Sequence, residues 1–344
     1  MVKALALFSG GLDSVLAAKV VSEQGVAVEA VHYLNAFLPG YYTNSGQVCP
    51  EPGKAAAGLG IKLHILDIAD AHLQLVRSPR YGYGANINPC IDCRILMLRE
   101  AKAFMQDQGF SFLISGEVLG QRPMSQRKAS LCVIDRDARV AGLVLRPLSA
   151  KLMPATIAEQ KGWVDREKLF AFSGRSRKPQ LALAEQLDIH EYAAPAGGCL
   201  LTQREFFRKF QDVAGWDNVN LNDVELTRTG RHFHYQNRFR LVVGRNEDEN
   251  KILLRLAGAG DILVRVREWS GPITVIRGSR APGMAGAEGE RQEAVKLAAA
   301  LTLYYSKGKD EGAAWVDYWA GKGKETGAIL TTPAKPEQVE QMRI

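Results

Sequence analysis

The chain has 344 residues, 46% hydrophobic and 24% charged, with a formal net charge of +7. That composition suits a globular protein of two domains, or one large and one small, and excludes collagen-like or low-complexity chains. The cation surplus permits a polyanionic partner without requiring one. No apolar run is long enough for a membrane span, and no basic leader precedes the first apolar run, so a cytoplasmic location without membrane contact is expected.

Residues 4–8 form a continuous apolar run, as in a parallel strand buried on both faces. Ser9-Gly10-Gly11 breaks it, and Asp13-Ser14 opens a segment with helical spacing at Leu12, Val15, Leu16 and Val20. Strand, glycine loop and helix N-terminus together make an anion site: glycine lets amides approach an oxygen closely, and the helix dipole favours negative charge. The spacing fits neither a Walker loop nor a dinucleotide fingerprint. A turn capped by Asp13 or Ser14, with no ligand, is the simpler alternative.

Residues 26–34 read as a second strand, 54–59 as a short helix and 61–66 as a third strand. This alternation predicts an α/β fold with a doubly wound parallel sheet. Cys49 lies in the intervening loop and reads as a thiol without a role. Residues 81–89 have no regular pattern and are expected to form an active-site loop. Cys90-Ile-Asp-Cys93 precedes an amphipathic helix over 94–108 and a buried strand over 110–115. Short strands are expected at 131–135, with an inert Cys132 inside, and at 143–147. A helix follows at 155–161, then a basic linker at 174–179.

Five cysteines, an odd number with one Cys-x-x-Cys, point to metal or redox chemistry rather than a disulfide framework. Cys90 and Cys93 place two thiolates within reach of one metal, and Gly197 and Gly198 let Cys199 approach as a third. The same set could carry a persulfide on Cys199 that Cys93 resolves as a disulfide. Structural zinc lacks a nameable fourth ligand, and buried thiols without a role are the plain alternative.

From about residue 203 the pattern changes, with a short helix at 204–210 and a loop-rich stretch at 213–222. Between Thr227 and Arg245 stand five arginines and no acid, interleaved with Phe233, Tyr235 and Phe239. Arginines contact phosphates and aromatic rings stack on bases, so Arg231, Arg238, Arg240 and Arg245 are candidate RNA contacts. An edge strand with one polar face over 238–243 is the structural alternative. His232 and His234 suit packing as well as RNA contact. Residues 333–344 are expected to be a flexible tail.

Ser9-Gly10-Gly11-Leu12-Asp13-Ser14 resembles the pyrophosphate loop (PP-loop) of the N-type ATP pyrophosphatases, which adenylate a carbonyl oxygen and release pyrophosphate. Further motifs follow in order: Arg94-Ile-Leu-Met-Leu-Arg-Glu-Ala101, Ser115-Gly-Glu-Val-Leu-Gly-Gln121, Ser125-Gln126, Val133-Ile-Asp135 and Leu145-Arg-Pro-Leu148. Together, over residues 1–205, they are similar to the catalytic domain of the tRNA 4-thiouridine synthases, with the tRNA 2-thiouridine synthases as the near alternative. The resemblance implies an adenine nucleotide α-hydrolase sheet that binds ATP and Mg²⁺ through Ser9, Gly10, Gly11, Asp13, Ser14, Gly116 and Gln121. It also implies a [4Fe-4S] cluster on Cys90, Cys93 and Cys199, or a cysteine persulfide without one, with Asp13, Cys93 and Cys199 catalytic. Gln121, Arg122, Gln126 and Lys128 are candidate nucleotide or RNA contacts.

The expected reaction adenylates a uridine carbonyl of tRNA and replaces the oxygen with sulfur, drawn from sulfide or a cysteine desulfurase. That family's N-terminal RNA-binding module and rhodanese domain have no counterpart here, so thiamine synthesis is not expected. Residues 232–250, with Ala298 to Lys307 and Trp315-Val-Asp-Tyr318, are similar to the RNA-binding domain of the NFACT family, proteins of ribosome-associated quality control that contact tRNA. This implies a second, smaller α+β domain over 206–332. Two alternatives stay open: an adenylating ligase or amidotransferase acting on a small molecule, and a non-catalytic tRNA- or ribosome-binding factor.

Overall fold

The structure, a computed structural model, describes residues 2–38, 50–84, 86–193, 199–216, 219–236, 238–278, 288–321, 323 and 325–344. Cys49, Gly197 and Gly198 lie outside these residues. The chain divides into two units, Met1–Thr202 and Gln203–Ile344.

The first unit begins with β1 (Lys3–Leu7), α1 (Leu12–Ser22), β2 (Ala27–Leu34), α2 (Pro50–Gly58), β3 (Leu63–Asp67) and α3 (Ala69–Arg77). It continues with α4 (Cys90–Asp107), β4 (Phe112–Ser115), α5 (Lys128–Asp137), β5 (Val144–Leu145), α6 (Ile157–Gln160) and α7 (Lys178–Gln186). The strands form one parallel sheet in the order β3-β2-β1-β4-β5. Both faces are covered, which is why the strands are apolar without alternation. Ala4 and Ala6 pack with α1 and α7, whereas Leu5 and Leu7 pack with α4 on the other face. From β1 the chain builds outward to β3, then returns across the sheet to β4 and β5. The carboxyl ends of β1 and β4 therefore flank a topological switch point, where sheets of this kind bind ligands.

The first unit departs from expectation at two places. Residues 131–135 are helical within α5, because Leu131 and Ile134, three apart, supply the buried face while Cys132 is exposed. A four-residue apolar run cannot by itself separate strand from helix. Cys90 and Cys93 lie in the first turn of α4 rather than ahead of it. The helices α3 and α7 also form where no element is expected, and Ala69, His72, Leu73 and Val76, at helical spacing, bury one face of α3.

The second unit contains α8 (Arg204–Ala214), α9 (Leu221–Arg228), β6 (Arg231–Tyr235), β7 (Phe239–Val243), α10 (Glu247–Leu256) and β8 (Ile262–Val266). Then follow β9 (Thr274–Gly278), α11 (Glu288–Tyr304), β10 (Ala314–Ala320), β11 (Glu325–Thr331) and α12 (Pro336–Met342). Its antiparallel sheet has the order β11-β10-β8-β9-β7-β6. The helix α11 covers one face against Leu241, Val264 and Ile276, and α9 and α10 cover the other against Val242, Leu263 and Val275. Asn220 and Asn246 start α9 and α10 by accepting backbone amides of the first turn. The strand β7 lies inside the sheet rather than at its edge. Residues 333–344 are not a flexible tail: Val339 of α12 is buried, and Ile344 N–H donates to the His232 carbonyl at 3.0 Å.

Among the described residues, no helix is long and apolar enough to cross a membrane.

Candidate active site

The loop after β1 is built around its glycines. Gly10 holds a φ of +75°, and a Cβ there would meet Pro52 Cα of α2 at 2.9 Å, so both conformation and space require glycine. Gly11 is the N-cap of α1 and offers no side-chain cap, which overturns the reading of a turn capped by Asp13 or Ser14. The Ser14 hydroxyl instead donates to the Gly11 carbonyl at 2.8 Å and accepts Ser9 N–H at 3.3 Å. Ser9 Oγ accepts Gly11 N–H at 3.4 Å. The loop is closed on itself by its own hydroxyls, with the amide end of α1 left for an anion. Behind it, the His32 ring Nδ1–H donates to the Phe8 carbonyl at 2.9 Å; burial holds this histidine below its ordinary pKa, so it is neutral.

The segment after β4 meets this loop at the switch point. A Cβ on Gly116 would fall 2.6 Å from the Asp13 carbonyl, so only glycine permits this approach. Five residues on, Gln121 Nε2 donates to Asp13 Oδ2 at 2.8 Å, and Gln121 Oε1 accepts Gln180 Nε2 of α7 at 3.3 Å. Asp13 Oδ1 is buried without a hydrogen-bond partner, as is Gln180 Oε1. An orphaned carboxylate oxygen beside a phosphate-type loop fits a divalent cation, and Asp13 is the residue that would hold Mg²⁺.

A buried charge network, which no sequence motif announces, holds this segment in place. Arg146, 2% exposed, donates to Glu117 Oε2 at 3.1 Å and forks onto Asp135 at 2.9 and 2.7 Å. Arg94 approaches Glu117 Oε1 at 3.4 Å. Burial alone would raise the Glu117 carboxyl, but Arg94 and Arg146 outweigh it and hold it below the usual carboxylate range. Gln126 is buried, and its Oε1 accepts Arg122 N–H at 3.0 Å, so it shapes the loop instead of facing a ligand. Arg122 and Lys128 are exposed.

The cysteines gather on the same side. Asp92 in the first turn of α4 accepts Arg80 N–H and Tyr81 N–H, both at 3.0 Å, pinning the loop that leads to Cys90. Asn86 Nδ2 donates to the Thr202 carbonyl at 3.0 Å, and the Cys199 thiol donates to the Phe37 carbonyl at 3.6 Å. Burial pushes the Cys93 thiol up to about 12; Arg94 opposes this, while Cys199 and Cys90 add to it. Burial also raises Cys90, against Arg122 and Arg94. The three sulfurs thus share one locale. However, among the described residues no three His, Cys, Asp or Glu side chains are arranged to hold a metal, so as placed they do not form the expected cluster ligand set.

The arginines of the second unit differ in their surroundings. Arg240 is 1% exposed, bonded to Asp212 at 3.0 Å, to Thr227 Oγ1 at 3.1 Å and to the Lys209 carbonyl. It lies across the sheet from Arg277, which is buried on Asp223 and Asp261. Burial lowers Arg240 to about 10, against the pull of Asp212. Arg240 is therefore a core ion pair, not an RNA contact. Arg238 pairs with Glu290 at 2.6 Å and Arg245 with Glu249 at 2.5 Å, both partly exposed, and Arg231 lies 4.6 Å from the centre of the Tyr305 ring. His232 is buried in packing, with Nε2 on the Thr229 carbonyl.

A parallel sheet with a Ser-Gly-Gly loop at its switch point and an acid beside it defines an α/β domain with a candidate anion site. Residues 1–153 match the family model described as thiamine biosynthesis protein (ThiI), and residues 230–343 that of the NFACT protein RNA binding domain. A tRNA-specific 2-thiouridylase MnmA of Campylobacter curvus is 32% identical over 118 residues, covering 33% of this chain and 34% of that protein. A probable tRNA sulfurtransferase of Thermoanaerobacter sp. is 33% identical over 148 residues, or 42% of this chain and 36% of that protein. The chain thus spans about a third of the length of the curated relatives it matches. The U34-tRNA thiolase NcsA of Methanococcus maripaludis, solved with its [4Fe-4S] cluster, is 17% identical, covering 62% of this chain and 66% of that one, with a TM-score of 0.33.

Proposed function

We propose that the chain is an ATP-dependent tRNA sulfurtransferase that makes 4-thiouridine or 2-thiouridine. One observation carries this reading: Gln121 binds Asp13 of the nucleotide loop, and the charge of the next residue, Arg122, bears on Cys90. Adenylation and sulfur transfer act on the same carbon of the substrate, so one loop that reaches both the nucleotide site and the thiols suits the two steps.

The amides after Gly10 and Gly11 hold the pyrophosphate part of ATP while the uridine carbonyl oxygen attacks the α-phosphorus and pyrophosphate leaves. Asp13 would hold Mg²⁺, which would neutralise charge on the phosphates. The adenylated oxygen then departs as AMP when sulfur attacks the carbon. A thiol route runs through Cys199 and Cys93, whose charges bear on one another. A cysteine desulfurase-type donor leaves a persulfide on Cys199, and its outer sulfur attacks the base. Cys93 then attacks Cys199 Sγ, closing a disulfide and leaving sulfur on the base; a thiol reductant reopens the bond. Arg122, Lys128, Arg231, Arg238 and Arg245 are the remaining proposed RNA contacts.

The test is anaerobic purification, with iron and sulfide analysis of the native chain and Cys90→Ala, followed by turnover of unmodified tRNA. AMP and thiouridine formed together, lost in Cys199→Ala, support the reading. About four irons per chain, lost in Cys90→Ala, would assign sulfur delivery to a [4Fe-4S] cluster instead. AMP release that does not depend on RNA would overturn tRNA as the substrate and favour a small-molecule ligase.

A further inference from the structure

In the second unit, α8, the start of β6 and the residues after β7 and α12 enclose a cavity of about 460 Å³. Its wall carries Arg208, Lys209, Arg231, His232, Arg245 and Arg343. Glu205 is the acidic side chain on this wall. The helix α8 turns its charged residues there because Phe206, Phe210 and Val213, at helical spacing, bury the opposite side in the core.

The cations of this wall are incompletely matched. Arg245 is paired with Glu249, Arg343 with Glu340 at 3.2 Å, and Arg231 Nη1 donates to the Gly244 carbonyl at 3.3 Å. Arg208 and Lys209 make no ion pair among the described residues. Burial, then Arg245, hold the Lys209 ammonium below its ordinary range, and Glu205 and Glu249 offset this only in part. His232 is 1% exposed and its Nε2–H is taken by the Thr229 carbonyl at 2.8 Å, so its Nδ1 is an acceptor and takes no part in holding an anion. An oxyanion offers what this wall lacks: negative charge and several acceptors that match guanidinium forks.

We infer that this cavity holds a phosphate group of the bound RNA strand, with Arg208 and Lys209 as its principal contacts. The inference rests on the proposed action on tRNA. The cavity volume lies in the range of small-ligand pockets, about 300–1,000 Å³, so it admits a phosphate together with its sugar. Neither residue belongs to the arginine-rich segment; α8 contributes both from some twenty residues upstream.

The experiment measures binding of an unmodified tRNA transcript to the full chain between about 50 and 200 mM salt. It compares the native protein with Arg208→Gln and with Arg208→Gln/Lys209→Gln, and repeats each titration with inorganic phosphate at matched ionic strength. Arg208 is exposed, so the single variant preserves the fold if the double variant does not. The expected result is a roughly tenfold weaker affinity and a salt slope smaller by about one for each phosphate no longer neutralised. Phosphate should compete with tRNA on the native chain and less on the variants. Native affinity and slope in both variants would overturn the inference while leaving tRNA binding intact. A native chain that binds phosphate in this cavity but no tRNA would overturn it differently, assigning the cavity to a free anion and removing RNA from the proposed function.

Discussion

The Gln121 side chain donates to one oxygen of Asp13 across 108 residues of sequence, and the other oxygen of Asp13 is buried with no partner. A hydrogen bond of this kind fixes the carboxylate's direction, and the unsatisfied oxygen marks where a positive ligand belongs. Asp13→Asn keeps an acceptor for Gln121 but removes the charge. AMP formation with tRNA should fall on the order of 10²-fold, a typical loss for an electrostatic group at a reacting centre, with little change in thermal unfolding. Unchanged turnover would remove Asp13 from the chemistry.

Gly116→Ala tests the approach of the two loops at the switch point. The added methyl would lie 2.6 Å from the Asp13 carbonyl and 2.7 Å from the Ser14 backbone nitrogen, atoms that cannot swing aside. A cost of about 1–3 kcal/mol is expected in urea unfolding, with weaker ATP binding because the nucleotide loop must shift. A variant as stable and as active as the native chain would show that the loops are not held this closely.

Arg240→Gln separates stability from RNA binding. Removing one partner of a buried pair leaves Asp212 without its cation, at a cost of about 3–5 kcal/mol. Below its unfolding transition the variant should bind tRNA with native affinity. Selective loss of RNA affinity with native stability would return Arg240 to the RNA-binding surface.

The acid side of the stability profile should report His72. Burial lowers its pKa from 6.5 to about 4, and its ring stands edge-on to Phe37 at 5.6 Å between ring centres. Above about pH 6.5 the ring is neutral in both states and has no effect. Below that, the unfolded chain takes up a proton that the folded chain refuses, so stability declines as pH falls from about 6.5 to about 4, by about 3 kcal/mol in all. Urea midpoints at either end of this window should differ less in His72→Leu than in the native chain. Equal differences would place the sensitivity elsewhere, His32 being the next buried imidazole.

What the sequence by itself determined was local: the apolar run of β1, the Ser9-Gly10-Gly11 break and the helical spacing after it. These are short-range consequences of backbone sterics and burial on both faces of a sheet, and they sufficed for the α/β class and for the glycine loop at the start of α1. Only the tertiary structure decided which distant groups meet. Gln180 reaches Gln121 because α7 packs beside α1, Glu117 is pinned by arginines from α4 and from the end of β5, and no periodicity announces either. Arg231 and Arg240 look alike in a basic, aromatic stretch, yet one borders a cavity and the other is buried on Asp212. Strand register and the helix laid across the sheet make that difference, because the cost of burying a charge is set by its partners, and partners are a property of the fold.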